Sequence, residues 1–222
     1  MGHVLVVGGT RGLGCELAKL FARDSSVIVT GRTAPDAQDK AIEFRELDLN
    51  FETTYNFLSF VEKLPYIDTL IIAAGYAQFG ALNSLHRADI MKMTRVGFLS
   101  PMIIIRELLL RQTKIPEYLQ VTSTSQWTPR ANEPVYAATK AGIGMFAESM
   151  AGDPHIGRVM VAGPSGMKTA FWKGLEHYTA QFLEPSEVAN EIHADWTTVT
   201  DYRFRHIAIL RNPIRVEVRD ER

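Results

Sequence analysis

The sequence predicts an α/β protein: one Rossmann-like, doubly wound domain with a parallel sheet of about seven strands and helices on both faces. Three observations point there. Short runs rich in Val and Ile alternate with longer helical patterns, the rhythm of a parallel sheet whose crossovers are helices. A glycine-rich turn joins the first such run to the first helical pattern. The irregular stretches 31–41, 74–86, 123–134 and 163–183 each follow the carboxyl end of a strand, where open α/β sheets bind their ligands.

Taken in order, strands are expected at 4–7, 27–30, 42–47, 69–73, 118–122, 158–162 and 206–210, with helices at 12–23, 51–63, 88–112, 135–151 and 185–197. Seven strands in 222 residues leave no room for a second domain, so 1–222 is read as one unit without repeats, linkers or low-complexity segments. Two helices carry surplus apolar or small residues. Residues 101–110 are apolar over more than one face, and Ala137, Ala138, Ala141, Gly142 and Gly144 allow close approach along the helix after Tyr136. That surplus predicts a homodimer or homotetramer burying 103–105 and 108–110. From Arg203 onward the chain is rich in Arg, but Glu217, Asp220 and Glu221 are interleaved, and this tail is read as a solvated edge.

Composition excludes several functions. Lys and Arg total 24 against 25 Asp and Glu, so no global basic field recruits nucleic acid. Cys15 is the only cysteine and the six His show no paired ligand spacing, which argues against disulfides and a metal site. No apolar run approaches the ~18–20 residues that span a bilayer. The chain enters an apolar strand directly after Met1, Gly2 and His3, so a targeting leader is not expected and a cytoplasmic protein is.

Three motifs carry chemistry. Gly8, Gly12 and Gly14 lie between a strand and a helix, where a tight turn, backbone approach and close packing bring a pyrophosphate to the helix N-terminus. At the end of the second strand, where an acid would accept from an NAD ribose, Arg32 stands before Thr33, and Arg11 lies within the glycine turn. Two guanidiniums suit a 2′-phosphate and hence NADP(H). Tyr136 and Lys140 share a helical face four residues apart, so the ammonium is expected to lower the phenol's pKa. Ser123, at the end of the preceding strand, could orient a substrate oxygen while Tyr136 exchanges the proton.

These pieces together resemble the short-chain dehydrogenase/reductase family over essentially the whole chain. Residues 7–14 look like its T-G-x-x-x-G-[IL]-G element with Val7 in place of Thr, which implies that Gly8, Thr10, Arg11, Gly12, Leu13 and Gly14 hold the cofactor. The resemblance likewise implies that Asp48 and Leu49 meet the adenine. Ala73, Ala74 and Gly75 resemble the end of N-N-A-G, although Ile72 and Ala73 replace the Asn residues. Pro164, Met167 and Thr169 fall in a segment similar to P-G-x-x-x-T, with Ser165 where Gly is usual. Ser123, Tyr136 and Lys140 match the catalytic set, Lys140 also holding the nicotinamide ribose beside Tyr136. Aligning on Gly97 places Thr94 where the family carries a relay Asn.

The segment at about 165–183 would then be a lid over substrate, with Phe171 and Trp172 from the lid and Tyr76 and Trp127 from neighbouring loops as substrate contacts. Phe182, Leu175, His177 and Tyr178 add to its largely apolar composition. The expected function is NADP(H)-dependent interconversion of a carbonyl and an alcohol on a small apolar or aromatic substrate. The alternative is a non-catalytic NADP(H)-binding sensor or scaffold on the same fold.

Overall fold

The computed structural model describes residues 2–35, 40–50, 55–172 and 179–222. Its strands are β1 (His3–Val7), β2 (Ser26–Gly31), β3 (Ile42–Glu46), β4 (Thr69–Ile72), β5 (Ile115–Val121), β6 (Ile156–Pro164), β7 (Phe204–Leu210) and β8 (Arg215–Glu221). They form one sheet in the order β3-β2-β1-β4-β5-β6-β7-β8. All pairs are parallel except β7 with β8. Val4, Leu5, Val6 and Val7 are all buried, as a strand covered on both faces requires. The chain builds outward from β1 to β3 and then restarts at β4 on the other side of β1. A crevice opens beyond the carboxyl ends at that reversal.

The helices are α1 (Gly12–Phe21), α2 (Tyr55–Glu62), α3 (Arg87–Thr94), α4 (Ser100–Gln112), α5 (Pro134–Met150) and α6 (Pro185–Thr198). The single helix expected at 88–112 is divided into α3 and α4 by a π-helical turn, Arg95–Leu99. Of the helix expected at 51–63, residues 51–54 lie outside the described residues. Leu13, Leu17 and Phe21 of α1 pack with Val188, Ile192 and Trp196 of α6 on one face of the sheet. Phe57, Ile104, Leu108 and Ala147 cover the other. No helix among the described residues is long and apolar enough to cross a membrane.

Two expectations are corrected. The tail is not simply a solvated edge: Val216 and Val218 stand opposite Ile209 and Ile207 as β8 closes the sheet. Arg205, 7% exposed, is held there by Asp195 at 2.7 and 2.8 Å and by Glu221. The second concerns the surplus apolar faces. Ile104, Ile105 and Leu108 are already buried in the chain's own core. A Cβ at Gly142 would stand 3.0 Å from the Phe98 ring, and one at Gly144 would run into Gln126. Gly142 and Gly144 thus serve packing within the chain, whereas Ala138 is exposed. Leu99 of the π-helical turn, Leu110 of α4 and Met145 of α5 remain exposed.

Candidate active site

A cleft of about 980 Å³ lies across the carboxyl ends of the central strands. At one end is the glycine turn. Gly8 has φ +83°, and a Cβ there would stand 2.6 Å from the Ala74 Cα. A Cβ at Gly14 would run into the Gly8 carbonyl oxygen, so helix and strand meet closely only because both residues are glycine. The Thr30 hydroxyl accepts from the Gly8 N–H at 3.3 Å. Arg11 at the start of α1 gives no side-chain cap, leaving first-turn N–H groups for an anion.

Around this turn the structure gathers the expected nucleotide residues. Thr10, Gly12 and Leu13 line the cleft beside it, and Arg11 donates to the Thr33 hydroxyl at 2.9 Å with Arg32 next to it. Asp48 and Leu49 continue the wall from the end of β3. Ala73, Ala74 and Gly75 line the stretch after β4, while Pro164, Met167 and Thr169 close the opposite side. Ser165, which departs from the family pattern, donates its hydroxyl and its N–H to the Ile209 carbonyl of β7. An extended nucleotide bearing a 2′-phosphate fits this donor set: uncapped N–H groups at one point and two guanidiniums beyond the end of β2.

Where β5 ends, Ser123 turns the chain into a short 3₁₀ segment, Thr124–Gln126, and accepts from the Ser125 N–H at 3.2 Å. Tyr136, in the first turn of α5, lines the cleft with Ser123, whose hydroxyl favours its phenolate form. One turn further on, buried Lys140 donates to the Val121 carbonyl at 3.3 Å, its Nζ 5.9 Å from the Tyr136 ring centre. The expected lowering of the phenol's pKa is not what these surroundings produce. Tyr136 keeps some surface open to the cleft, yet the atoms packed around it desolvate the phenol and push it up to about 12, against the opposing effect of the Ser123 hydroxyl. Burial brings the Lys140 ammonium down to about 8.

The aromatic residues divide by role. Phe171 lies 5.6 Å from the Tyr136 ring and walls the site. Trp172 stacks on Phe79 at 4.6 Å and takes Phe182 edge-on at 5.0 Å. Tyr76 lines the cleft but donates its hydroxyl to Asp89 at 2.7 Å, under Lys92. Trp127 also lines it, packed on His206. Lid residues 173–178, including Leu175, His177 and Tyr178, lie outside the described residues.

Thr94 is a correction. Its side chain is exposed, its hydroxyl donates to the Ile90 carbonyl at 2.9 Å, and it is not among the residues lining the cleft. The π-helical turn immediately after it presents Val96 to the cleft instead. Sequence reasoning also missed Ser125, Arg130 and Glu133, which form a polar cluster beside Ser123, and Arg211 and Arg215 from the β7–β8 hairpin. Arg211 lies over the Phe182 ring at 4.8 Å. The alternating Val216 and Val218 were the available signal for the hairpin. Nothing in the spacing of 125, 130 and 133 marks them. No group of three or more His, Cys, Asp or Glu able to hold a metal occurs among the described residues.

A strand-to-helix glycine turn, a Ser-Tyr-Lys constellation and an open cleft at the chain reversal define a nucleotide-binding oxidoreductase fold. The family model for short chain dehydrogenase matches residues 2–179, and the chain belongs to that family of oxidoreductases. It is 25% identical to carbonyl reductase family member 4 of Xenopus laevis over 206 residues, 84% of this chain and 87% of that one. It is also 27% identical over 169 residues to the PIGF/3-ketodihydrosphingosine reductase fusion protein of Schizosaccharomyces pombe. That match takes in 67% of this chain but only 34% of the fusion protein. A short-chain dehydrogenase from Sphingobium yanoikuyae, solved with NADPH, has the same fold, with a TM-score of 0.80 at 18% identity, covering 94% of this chain and 87% of that one.

Proposed function

We propose that this chain is an NADP(H)-dependent oxidoreductase that interconverts a carbonyl and an alcohol. The observation that carries the reading is the placing of Ser123, Tyr136 and Lys140 in one cleft with the glycine turn. When bound, the nicotinamide supplies or accepts hydride. In carbonyl reduction Ser123 donates to the substrate oxygen and fixes its direction. Tyr136 then protonates that oxygen as charge develops on it, and a phenol raised to about 12 is present as the acid at neutral pH. Lys140 binds the nicotinamide ribose and lends its charge when Tyr136 is phenolate. Phe171 keeps water from the reacting oxygen. The printed name of the Xenopus relative and the NADPH of the Sphingobium structure support the reading.

The substrate class we propose is apolar or aromatic, resting on Phe171, with the packed rings of Trp172 and Trp127 also lining the cleft and the carbonyl at the Tyr136 end. Self-association is carried forward on a narrower basis, the exposed Leu99, Leu110 and Met145. Sedimentation at micromolar concentration tests it against the 24.9 kDa of one chain. The deciding experiment for function is NADPH consumption with a panel of ketones, aldehydes, quinones and keto-sugars. Turnover lost in Tyr136→Phe supports the proposal; no turnover with any carbonyl refutes it.

A further inference from the structure

We propose that Ser125 and Glu133 are positioning residues in a proton path that leads from Tyr136 through Ser123 to the surface of the cleft. The inference rests on the carbonyl–alcohol reading above and concerns where that reaction's proton goes. The position aligned with the family's relay Asn does not serve: Thr94 is exposed and bonded to its own helix. On the other side of Tyr136 a polar chain is present. Tyr136 and Ser123 line the same cleft, and the Ser123 hydroxyl favours the phenolate form of Tyr136. The Ser123 hydroxyl donates to Ser125 Oγ at 3.2 Å. The Ser125 hydroxyl donates to Glu133 Oε2 at 2.7 Å. Ser125 is 5% exposed, the Glu133 side chain 14% and that of its partner Arg130 40%, so the chain runs from interior to solvent.

Two features set this cluster apart from an ordinary loop brace. Glu133 occupies the N-cap of α5, where a carboxylate would normally accept from the helix's first N–H groups, yet it makes no such bond. Its oxygen is turned to Ser125 instead. The polarity of the chain is also fixed from its outer end. An ionised carboxylate can only accept, so Ser125 must donate to it, which leaves a Ser125 lone pair for the Ser123 hydroxyl whenever that hydroxyl is not turned to the substrate oxygen or to the phenolate. That is the orientation for exporting a proton.

In alcohol oxidation the substrate O–H breaks and its proton joins the Tyr136 phenolate, while hydride leaves to the oxidised nicotinamide. The Tyr136 O–H then breaks and a proton forms a bond to Ser123 Oγ as Ser123 passes its own to Ser125 Oγ. Ser125 passes its own to the Glu133 carboxylate, which releases it to water. One proton enters at Tyr136 and one leaves at Glu133; reduction runs the same steps backwards. The charged groups about the chain are Arg130, which donates to Ser125 Oγ and to Glu133 at 3.2 Å, and Lys140 beneath Tyr136. Lys92, Arg211 and Arg215 line the same cleft.

The test uses the whole chain with NADP⁺ and any alcohol it oxidises. It measures kcat and KM across about pH 6–10 in wild type, Ser125→Ala, Glu133→Gln and Glu133→Asp. Ser125→Ala and Glu133→Gln should each lower kcat by about 10-fold, with KM within about twofold. Added imidazole should restore much of the rate by accepting the stranded proton, and Glu133→Asp should retain most of it. Wild-type kcat and pH profile in both Ser125→Ala and Glu133→Gln would overturn the path.

A second readout needs no turnover. The ultraviolet tyrosinate titration, taken as the difference between Tyr136-containing and Tyr136→Phe proteins, should move to lower pH in Glu133→Gln, because the carboxylate's charge opposes phenolate. An unmoved transition also overturns the path. If wild type oxidises no alcohol, it is the function that fails, and the titration alone judges the path.

Discussion

The two ends of the cleft are built on different plans. The end proposed to hold the nucleotide is organised around one continuous stretch, Gly8 to Gly14, with strand-end residues such as Arg32, Asp48 and Ala74 lining the rest. The substrate end is assembled from the loops after β4 and β5, the start of α5, the lid after β6 and the β7–β8 hairpin. In the first, backbone geometry within a few residues dictates side-chain identity: Gly8 at φ +83° and Gly14 against a carbonyl admit no Cβ. In the second, any residue that fills the space will do, and the result depends on which segments the fold brings together. A site of the first kind is readable in a sequence; a site of the second is readable only in part.

The largest effect expected is at the junction of the two ends. Tyr136→Phe should lower kcat by roughly 10²–10⁴-fold, the range of a positioned general acid. NADPH affinity should stay within about twofold, because the phenol does not hold the pyrophosphate. Stopped-flow turnover and fluorescence titration of cofactor separate the two quantities. A parallel loss of affinity would show that the ends are not independent.

Next in size is cofactor choice. Arg11 and Arg32 should make NADPH bind more tightly than NADH by roughly 10–1,000-fold, at ~1.5–3 kcal/mol per charge-assisted contact and less where solvent reaches it. Arg11 and Arg32 are both exposed, so Arg32→Ala should remove part of that preference and leave the rest with Arg11. Equal affinities in wild type, measured with both cofactors, would remove the basis for the phosphate assignment.

Lys140 gives a smaller effect, on stability. Its folded pKa, about 8, lies below its ordinary 10.5, so burying the charged ammonium costs stability at every pH below about 8. Between those values the unfolded chain binds more protons than the folded one, so this cost fades as pH rises and is gone by about 10.5. Lys140→Met should therefore raise the Tm of the nucleotide-free protein by roughly 2–6 °C at neutral pH and by progressively less above pH 8, while abolishing turnover. Calorimetry at several pH values checks it. A gain that grows with pH would contradict the burial argument.

What the sequence made legible follows the same division. All seven parallel strands were expected within a few residues, because buried Val and Ile runs such as 4–7 have no other stable setting. Gly8, Gly12 and Gly14 of the glycine turn, Arg11, Arg32, Ser123, Tyr136 and Lys140 all line the one cleft. β8 went unread because the charges of Arg215, Glu217, Arg219 and Asp220 hid the alternation of Val216 and Val218, although a strand with one open face is built that way. The fall of Tyr136's pKa was misjudged for a different reason. Charge proximity can be read from an i, i+4 spacing, whereas desolvation depends on everything packed around the pair.

The smallest expected effect is the sharpest test of this division, because it sets an alignment against a helix. Alignment on Gly97 places Thr94 in the proton relay, and on that basis Thr94→Val should slow turnover. The structure puts the Thr94 side chain outside, its hydroxyl bonded to Ile90 one turn back, and the π-helical turn that follows directs Val96 to the cleft. Replacing an exposed, back-bonded Thr by Val in a helix should change stability by no more than about 0.5 kcal/mol. It should leave kcat and NADPH affinity within about twofold of wild type, whereas Ser125→Ala should lower kcat about 10-fold. Steady-state kinetics of the two variants side by side decide it. If Thr94→Val slows turnover and Ser125→Ala does not, the proton leaves along α3, and the sequence alignment located the relay better than the position of the side chain does.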